Sequence, residues 1–349
     1  MATMICNASS GSSAWPMSRQ VLAAALALLL AFGTGCKRSV PNAEPGQAGA
    51  YVPPSGPPPA EIWKEFSGEK ALAHAKAQCD LGPRPSGSAE LEKARALITA
   101  ELTRNGWNVE RQTFADTTPR GPVTFVNLIA RYGGSRKTQQ WVVCSHYDTK
   151  IFDTIRFVGA SDGASSTGAL MELARVLSLD PGLARRVELV FFDGEEAVVQ
   201  YRQTNGVLTD GLYGSRHYAK DLAATGRAKQ LREGVLWDMI GNSRLNVTLS
   251  PDSPAPLMQE IFAAADALGL RGIFSLSERT ILDDHSPLNE AGISTIDLIG
   301  FDYPYWHTAD DTFDKLSPQS LQSVGAVTLR WLKTASGQPA PKYAGQNSD

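Results

Sequence analysis

From residue 140 onward the hydrophobic pattern alternates between two kinds of stretch. Short unbroken apolar runs stop at a polar turn, and longer stretches carry apolar residues three and four apart. The runs Trp141–Ser145, Val187–Phe192, Gly234–Met239 and Ile293–Ile299 read as buried strands, because a strand covered on both faces needs no polar alternation. Thr167–Leu179, Leu212–Ala224, Pro256–Leu268 and Leu316–Lys333 read as helices; in the first, Leu170, Leu173, Val176 and Leu177 share one face. Earlier in the chain, Glu61–Ala77 has helical spacing through Trp63, Phe66, Leu72 and Ala75. Ser88 is placed to cap a helix over Ala89–Asn105 that Gly106 closes. Trp107–Phe114 and Val123–Tyr132 read as an antiparallel strand pair, and Asn246–Ser250 as one more short strand. Strands alternating with helices predict an α/β fold: a single domain with a mixed, mainly parallel central sheet and helices on both faces.

Composition narrows the setting. The 349 residues are 42% hydrophobic, enough for a full core, and the net charge of −3 gives no basic footprint for nucleic acid. Arg19 precedes Val21–Phe32, a run of 12 apolar residues, too short to span a bilayer and the right length for a signal-peptide core. Gly33, Thr34 and Gly35 lead to Cys36, which reads as a lipoprotein-type processing site. Pro41–Pro59 holds seven prolines and reads as an extended tether. The expected organisation is therefore a signal peptide over 1–36, a linker over 37–59, a catalytic domain over 60–336 and a loose tail over 337–349. Such a chain is expected to be exported to the periplasm or cell envelope, as a monomer that meets membrane only through a lipid anchor at Cys36. Cys79 and Cys144 are left for the domain, where an oxidising compartment would allow them to pair.

The candidate chemistry gathers at strand ends. His146 and Asp148, Asp162, Glu195 and Glu196, Asp238, and His307 each stand at the end of an apolar run or in the loop that follows. In open α/β sheets ligands sit beyond the carboxyl ends of the strands. Adjacent carboxylates such as Glu195 and Glu196 repel unless a cation takes up charge, and a metal can hold one while the other stays free as a base. Carboxylate and imidazole ligands without thiolates suit zinc with an open catalytic position. His74 and His217 read as packing or surface residues.

Seven stretches in order carry a family resemblance: SHYDTK at 145–150, VGASDG at 158–163, FFDGEEA at 191–197, LYGSRH at 212–217, LWDMIG at 236–241, ILDDHSP at 281–287 and WHTADD at 306–311. Together they resemble the zinc-dependent aminopeptidase superfamily and, within it, the animal-type glutaminyl-peptide cyclotransferases. The superfamily's two-zinc peptidases would use His146, Asp162, Glu196, Asp238 and His307. The cyclase resemblance implies one zinc per chain on Asp162, Glu196 and His307, with Glu195, Asp238 and Asp283 as catalytic groups. It also implies peptide or protein substrates with an N-terminal glutamine. Asp283, where the peptidases commonly have serine, and Trp306, where they commonly have tyrosine, favour the cyclase. The chain departs from the animal enzymes at Tyr201 and Tyr303, which stand where a tryptophan and a phenylalanine line the substrate pocket. It departs again at Asp297, in place of a histidine, and at Thr167, in place of a disulfide cysteine.

Overall fold

A computed structural model describes residues 51–204 and 207–337. The signal peptide, Cys36, residues 37–50 of the expected tether and the tail beyond Gly337 lie outside the described residues. Ten strands run in chain order: β1 (Trp107–Thr118), β2 (Gly121–Tyr132), β3 (Trp141–His146), β4 (Val187–Phe192), β5 (Arg202–Thr204), β6 (Val207–Asp210), β7 (Glu233–Asp238), β8 (Val247–Leu249), β9 (Phe274–Leu276) and β10 (Ser294–Ile299). The helices are α1 (Gly68–Cys79), α2 (Ala89–Arg104), α3 (Ser166–Leu177), α4 (Pro181–Ala184), α5 (Tyr213–Ala224), α6 (Ala255–Asp266), α7 (His285–Glu290) and α8 (Pro318–Ser336). No described helix is long and apolar enough to cross a membrane.

Eight strands form one sheet in the order β1-β2-β4-β3-β7-β10-β8-β9. The middle four, β4, β3, β7 and β10, are parallel, while β2 joins β4 and β8 joins β10 antiparallel. Their alternating side chains feed two cores, as a strand buried on both faces must. Trp141, Val143, Leu189, Phe191, Val235 and Trp237 point to the larger core under α1, α2, α3, α6 and α8. Val142, Cys144, Val190, Phe192 and Leu236 point to the smaller one under α5 and α7. The sheet is thus mixed and mainly parallel at its centre, with helices on both faces. Because the four parallel strands share a direction, His146, Asp238 and the turn after Phe192 open onto one edge.

The elements differ from the sequence pattern in two ways. The expected helix over Glu61–Ala77 is broken: a 3₁₀ turn over Ile62–Glu65 ends at Phe66, and Ser67 caps a separate α1 by accepting from the Lys70 amide. Gly68 sits against the Pro318 carbonyl, so α1 starts where it meets α8. Short elements without a readable hydrophobic period are absent from the sequence pattern, namely the β5–β6 hairpin, β9, α4 and α7. Ser88 does cap α2, through the Leu91 amide at 3.1 Å.

Within the expected tether, Tyr51 is docked: its ring packs edge-on against Tyr132 and its hydroxyl donates to the Ser178 carbonyl at 3.3 Å. Cys79 and Cys144 do not pair; both are free thiols. Thr167, at the position of the animal cysteine, instead donates its hydroxyl to the His146 carbonyl at 2.7 Å and so ties α3 to the end of β3.

Candidate metal centre and active site

Three segments bring the site together. The chain leaves β3 at His146. It passes through a kinked turn over Ala160–Ser165, non-helical at Asp162 and Gly163, that carries Asp162 and leads into α3. Gly163 in this turn has φ +97°, and a Cβ there would stand 2.8 Å from the Asp148 carbonyl oxygen and 3.2 Å from the His146 ring. Glycine therefore lets the turn and the imidazole meet. β4 runs into the acidic turn, whose start is fixed by Asp193. That carboxylate accepts from the Arg95 guanidinium at 2.6 Å, the Val126 amide at 2.8 Å and the Ser86 hydroxyl at 2.7 Å. The turn's far side is pinned by α5, as the Leu212 and Tyr213 amides donate to the Glu195 and Gly194 carbonyls at 2.8 and 2.7 Å. His307 is held in the left-handed region, φ +56°, with Trp306 stacked on its ring at 4.2 Å and Phe157 edge-on at 5.7 Å. A left-handed non-glycine residue is a conformation the surrounding packing must impose.

Asp162 is the centre of the arrangement. Its Oδ2 lies 3.4 Å from His307 Nε2, which is 3.1 Å from Glu196 Oε1. Its Oδ1 lies 3.2 Å from His146 Nε2, which is 3.1 Å from Asp238 Oδ1. One ligand atom from each of Asp162, Glu196 and His307 lies within 4.8 Å of the others, and the same holds for His146, Asp162 and Asp238. All of these are buried except His307, which is partly so.

The electrostatics fit a cation in this place. Burial pushes the Glu196 and Asp238 carboxyls upward, with the Asp162 charge adding to both and one imidazole opposing it in each case. Burial would also raise Asp162, but hydrogen bonds from His146 and His307 overcome it and hold that carboxyl below its usual range. Conversely, burial would lower His307, yet Asp162 and Glu196 hold it up, at about 9. Carboxylates crowded this closely without a metal draw protons onto the imidazoles; a divalent ion supplies the charge and frees the ring nitrogens to ligate. Asp162 Oδ2 is buried with only the long 3.4 Å approach of His307 Nε2, as a ligand oxygen open to a cation would be, and His146 turns Nε2 to the cluster while Nδ1 faces Asp148 at 3.6 Å. The oxygen and nitrogen donor set suits zinc.

Beside the cluster lies a cavity of about 540 Å³. Tyr201, Ile281, Leu282, Phe301 and Trp306 form its apolar wall, and Glu195, Asp238 and Asp283 face it with carboxyl groups. Glu195 does not belong to either ligand cluster. Burial holds its carboxyl well above the usual range; His146 opposes that, and the neighbouring carboxylates Glu196, Asp284 and Asp238 add to it. The Tyr201 hydroxyl donates to Glu195 Oε1, which fixes the carboxyl's direction. Asp283 is 2% exposed and its Oδ2 has no hydrogen-bond partner. Burial raises it strongly, with Asp297, Asp238 and Glu195 adding in that order.

Among the residues singled out from the sequence, the structure therefore assembles Asp162, Glu196, His307, Glu195, Asp238, Asp283, Tyr201 and Trp306 around one cavity. Tyr303 is the exception and a correction: it does not line the cavity. It is 4% exposed and spends its hydroxyl on Asp311 Oδ1 at 2.7 Å, while Phe301 takes the place in the wall. Sequence reasoning passed over Lys150, which donates to the Ala197 carbonyl at 2.7 Å and lies 3.5 Å from Glu196 Oε2. It also passed over Asp311, which reads as a solvated acid in the ADD run. His217 is structural, stacked on Phe114 at 3.9 Å.

A central parallel sheet with a carboxylate–imidazole pair of clusters at its strand ends defines a zinc-aminopeptidase type of metalloenzyme. The model of Peptidase family M28 matches residues 127–332. A Bos taurus glutaminyl-peptide cyclotransferase-like protein is 30% identical over 280 residues, covering 71% of this chain and 71% of the relative. The glutaminyl-peptide cyclotransferase of Boiga irregularis is 31% identical over 265 residues, 64% of this chain and 68% of that one. The crystal structure of an Acidobacteriales bacterium glutaminyl cyclase superposes with a TM-score of 0.71 at 30% identity, covering 82% of this chain and 99% of the other. The chain belongs to peptidase family M28 and, within it, to the glutaminyl-peptide cyclotransferases.

Proposed function

We propose that this chain converts the N-terminal glutamine of peptides and proteins to pyroglutamate with release of ammonia, using one zinc ion per chain held by Asp162, Glu196 and His307. The observation that carries this reading is the set of three buried carboxyl groups, Glu195, Asp238 and Asp283, that face one apolar-walled cavity beside the ligand cluster. A hydrolase needs one base to activate water. Ring closure needs groups that hold an amine and an amide nitrogen and pass a proton between them.

Zinc, when bound, supplies Lewis acidity toward the γ-carboxamide oxygen. Glu195 takes a proton from the substrate's α-amine as its nitrogen bonds to Cδ, and returns a proton to the departing amide nitrogen as the Cδ–N bond breaks. The proton count closes on ammonia, with no water consumed. Asp238 and Asp283 accept hydrogen bonds from the two nitrogens and hold them in reacting order. Trp306 and Tyr201 wall the cavity and keep out the water that would give glutamate instead.

The deciding assay incubates a Gln-initiated peptide with the purified domain. Ammonia release with retention of every residue is expected; liberation of free amino acids would overturn the reading. Glu195→Gln is expected to lower kcat by about 10²–10⁴-fold while metal content stays at one zinc; full activity in that variant would remove Glu195 from its role. The second reading, a two-zinc aminopeptidase, is favoured by one observation, the complete His146–Asp162–Asp238 cluster. Two zinc ions per chain together with peptide hydrolysis would establish it. We further propose export through residues 1–36, anchoring at Cys36, a tether over 37–59 and action as a monomer. The mass of the mature N-terminus and light scattering check these points, and an unmodified Cys36 would sink the anchor.

A further inference from the structure

Arg84 is buried completely and has no carboxylate within 4.0 Å among the described residues. A buried guanidinium ordinarily takes a carboxylate partner, because its desolvation is otherwise uncompensated. Here carbonyl oxygens take both Nη groups, while Nε is buried without a partner. Nη1 donates to Gln78, Gly82 and Val158 at 3.2, 2.9 and 3.0 Å, and Nη2 to Gly159 at 3.3 Å. Two of those carbonyls, of Val158 and Gly159, stand directly before Ala160 and enter the turn that carries Asp162. The Arg84 backbone also exchanges hydrogen bonds with Thr149, donating to its hydroxyl at 2.8 Å and accepting from its amide at 3.2 Å, so the same residue grips the loop after His146.

The opposite side of the turn meets Asp311, which is fully buried. Its Oδ1 accepts from the Ser161 amide at 2.8 Å and its Oδ2 from the Asp162 amide at 3.1 Å. Residues 158–162 are thus oriented with carbonyls toward a cation and N–H groups toward an anion. The turn lies between the two charges; outside it, Arg84 has only the neutral Gln78 and Gly82 carbonyls within hydrogen-bond reach and Asp311 the neutral Tyr303 hydroxyl.

We propose that Arg84 and Asp311 form an ion pair transmitted through the 158–162 turn, and that together they are positioning residues that set where Asp162 presents its two oxygens. The inference rests on the reading of Asp162 as a zinc ligand. Asp311 also lies four residues beyond His307, so the clamp relates two of the three ligands to each other.

The test measures zinc affinity of the full domain by chelator competition, with near-UV circular dichroism of the metal-free protein as the check on folding. Asp311→Asn and Arg84→Met are expected to weaken zinc binding by about 10–100-fold each, with the metal-free fold retained. Arg84→Lys keeps the charge but not the fork, and falls between wild type and Arg84→Met. The double variant Arg84→Met/Asp311→Asn is expected to lose less than the product of the single losses, since each charge's partner is already gone. Unchanged zinc affinity in the folded single variants, or strictly multiplicative losses in the double one, would overturn the clamp. If Arg84→Met does not fold, Asp311→Asn and Arg84→Lys decide by the same affinity criterion. A wild-type domain that binds no zinc would instead strike the ligand assignment itself, which separates the two failures.

Discussion

A single hydroxyl shows how finely the site is set at the residue scale. Tyr201 donates to the carboxylate of Glu195, and a hydrogen bond to the charged form favours that form. Tyr201→Phe removes the donor, so the Glu195 carboxyl should rise further above its usual range. The acid limb of the kcat/KM profile should then move to higher pH, with zinc content unchanged, in a pH series on a Gln-initiated peptide; an unmoved limb would mean that Glu195 is not the titrating base. At this scale the sequence was readable where a residue ends a strand. Glu195 and Glu196 follow an apolar run and could be marked, whereas Tyr303 could not be told from Phe301. In an irregular aromatic loop no period says which ring turns inward, and the structure buries Tyr303 against Asp311 instead. Arg84, in a Gly/Pro loop, has the composition of a surface residue and is buried all the same.

Between elements, α1 and α3 approach each other closely at Gly168. A Cβ at Gly168 would stand 2.6 Å from both the Ala71 carbonyl oxygen and the Ala75 nitrogen, so even a methyl group must push the helix backbones apart. Gly168→Ala should cost about 1–3 kcal/mol or more, read from the urea midpoint at constant m-value. α7 offers a pH test. Burial lowers its first residue, His285, to about 4. A histidine depressed in the fold contributes stability that is complete above its unfolded value near 6.5 and is lost as pH falls toward 4, because only the unfolded chain takes up the proton in that window. That amounts to up to about 3 kcal/mol. His285→Gln should flatten the dependence of unfolding free energy on pH between 7 and 5, and an unaltered slope would contradict the burial effect. The long elements were legible because their periods repeat. β5, β6 and β9 have three or four residues each and their exposed positions carry no alternation, so neither they nor the break at Phe66 and Ser67 could be read.

At the scale of the whole molecule, the site depends on strand order, which no local pattern states. β4 lies between β2 and β3, and β7 between β3 and β10, so His146, the acidic turn and Asp238 become neighbours although they are far apart in sequence. The family resemblance, not the periodicity, was what joined those residues beforehand. The same convergence buries several carboxylates together, and their mutual repulsion is relieved when zinc binds. Stripping the metal with a chelator should therefore lower the melting temperature. Restoring zinc at a thousand times its Kd should return about 4 kcal/mol, and a scan indifferent to zinc would argue against the cluster as its site. The free thiols carry one last consequence. Burial pushes the Cys79 thiol up to about 11 and holds the Cys144 thiol well above its ordinary value, so neither is appreciably thiolate at neutral pH. With no covalent staple between them, the described domain is held by packing, hydrogen bonds, buried ion pairs such as Arg95–Asp193 and the metal cluster. Joining Cys79 to Cys144 is therefore no step on the described domain's route to its native state.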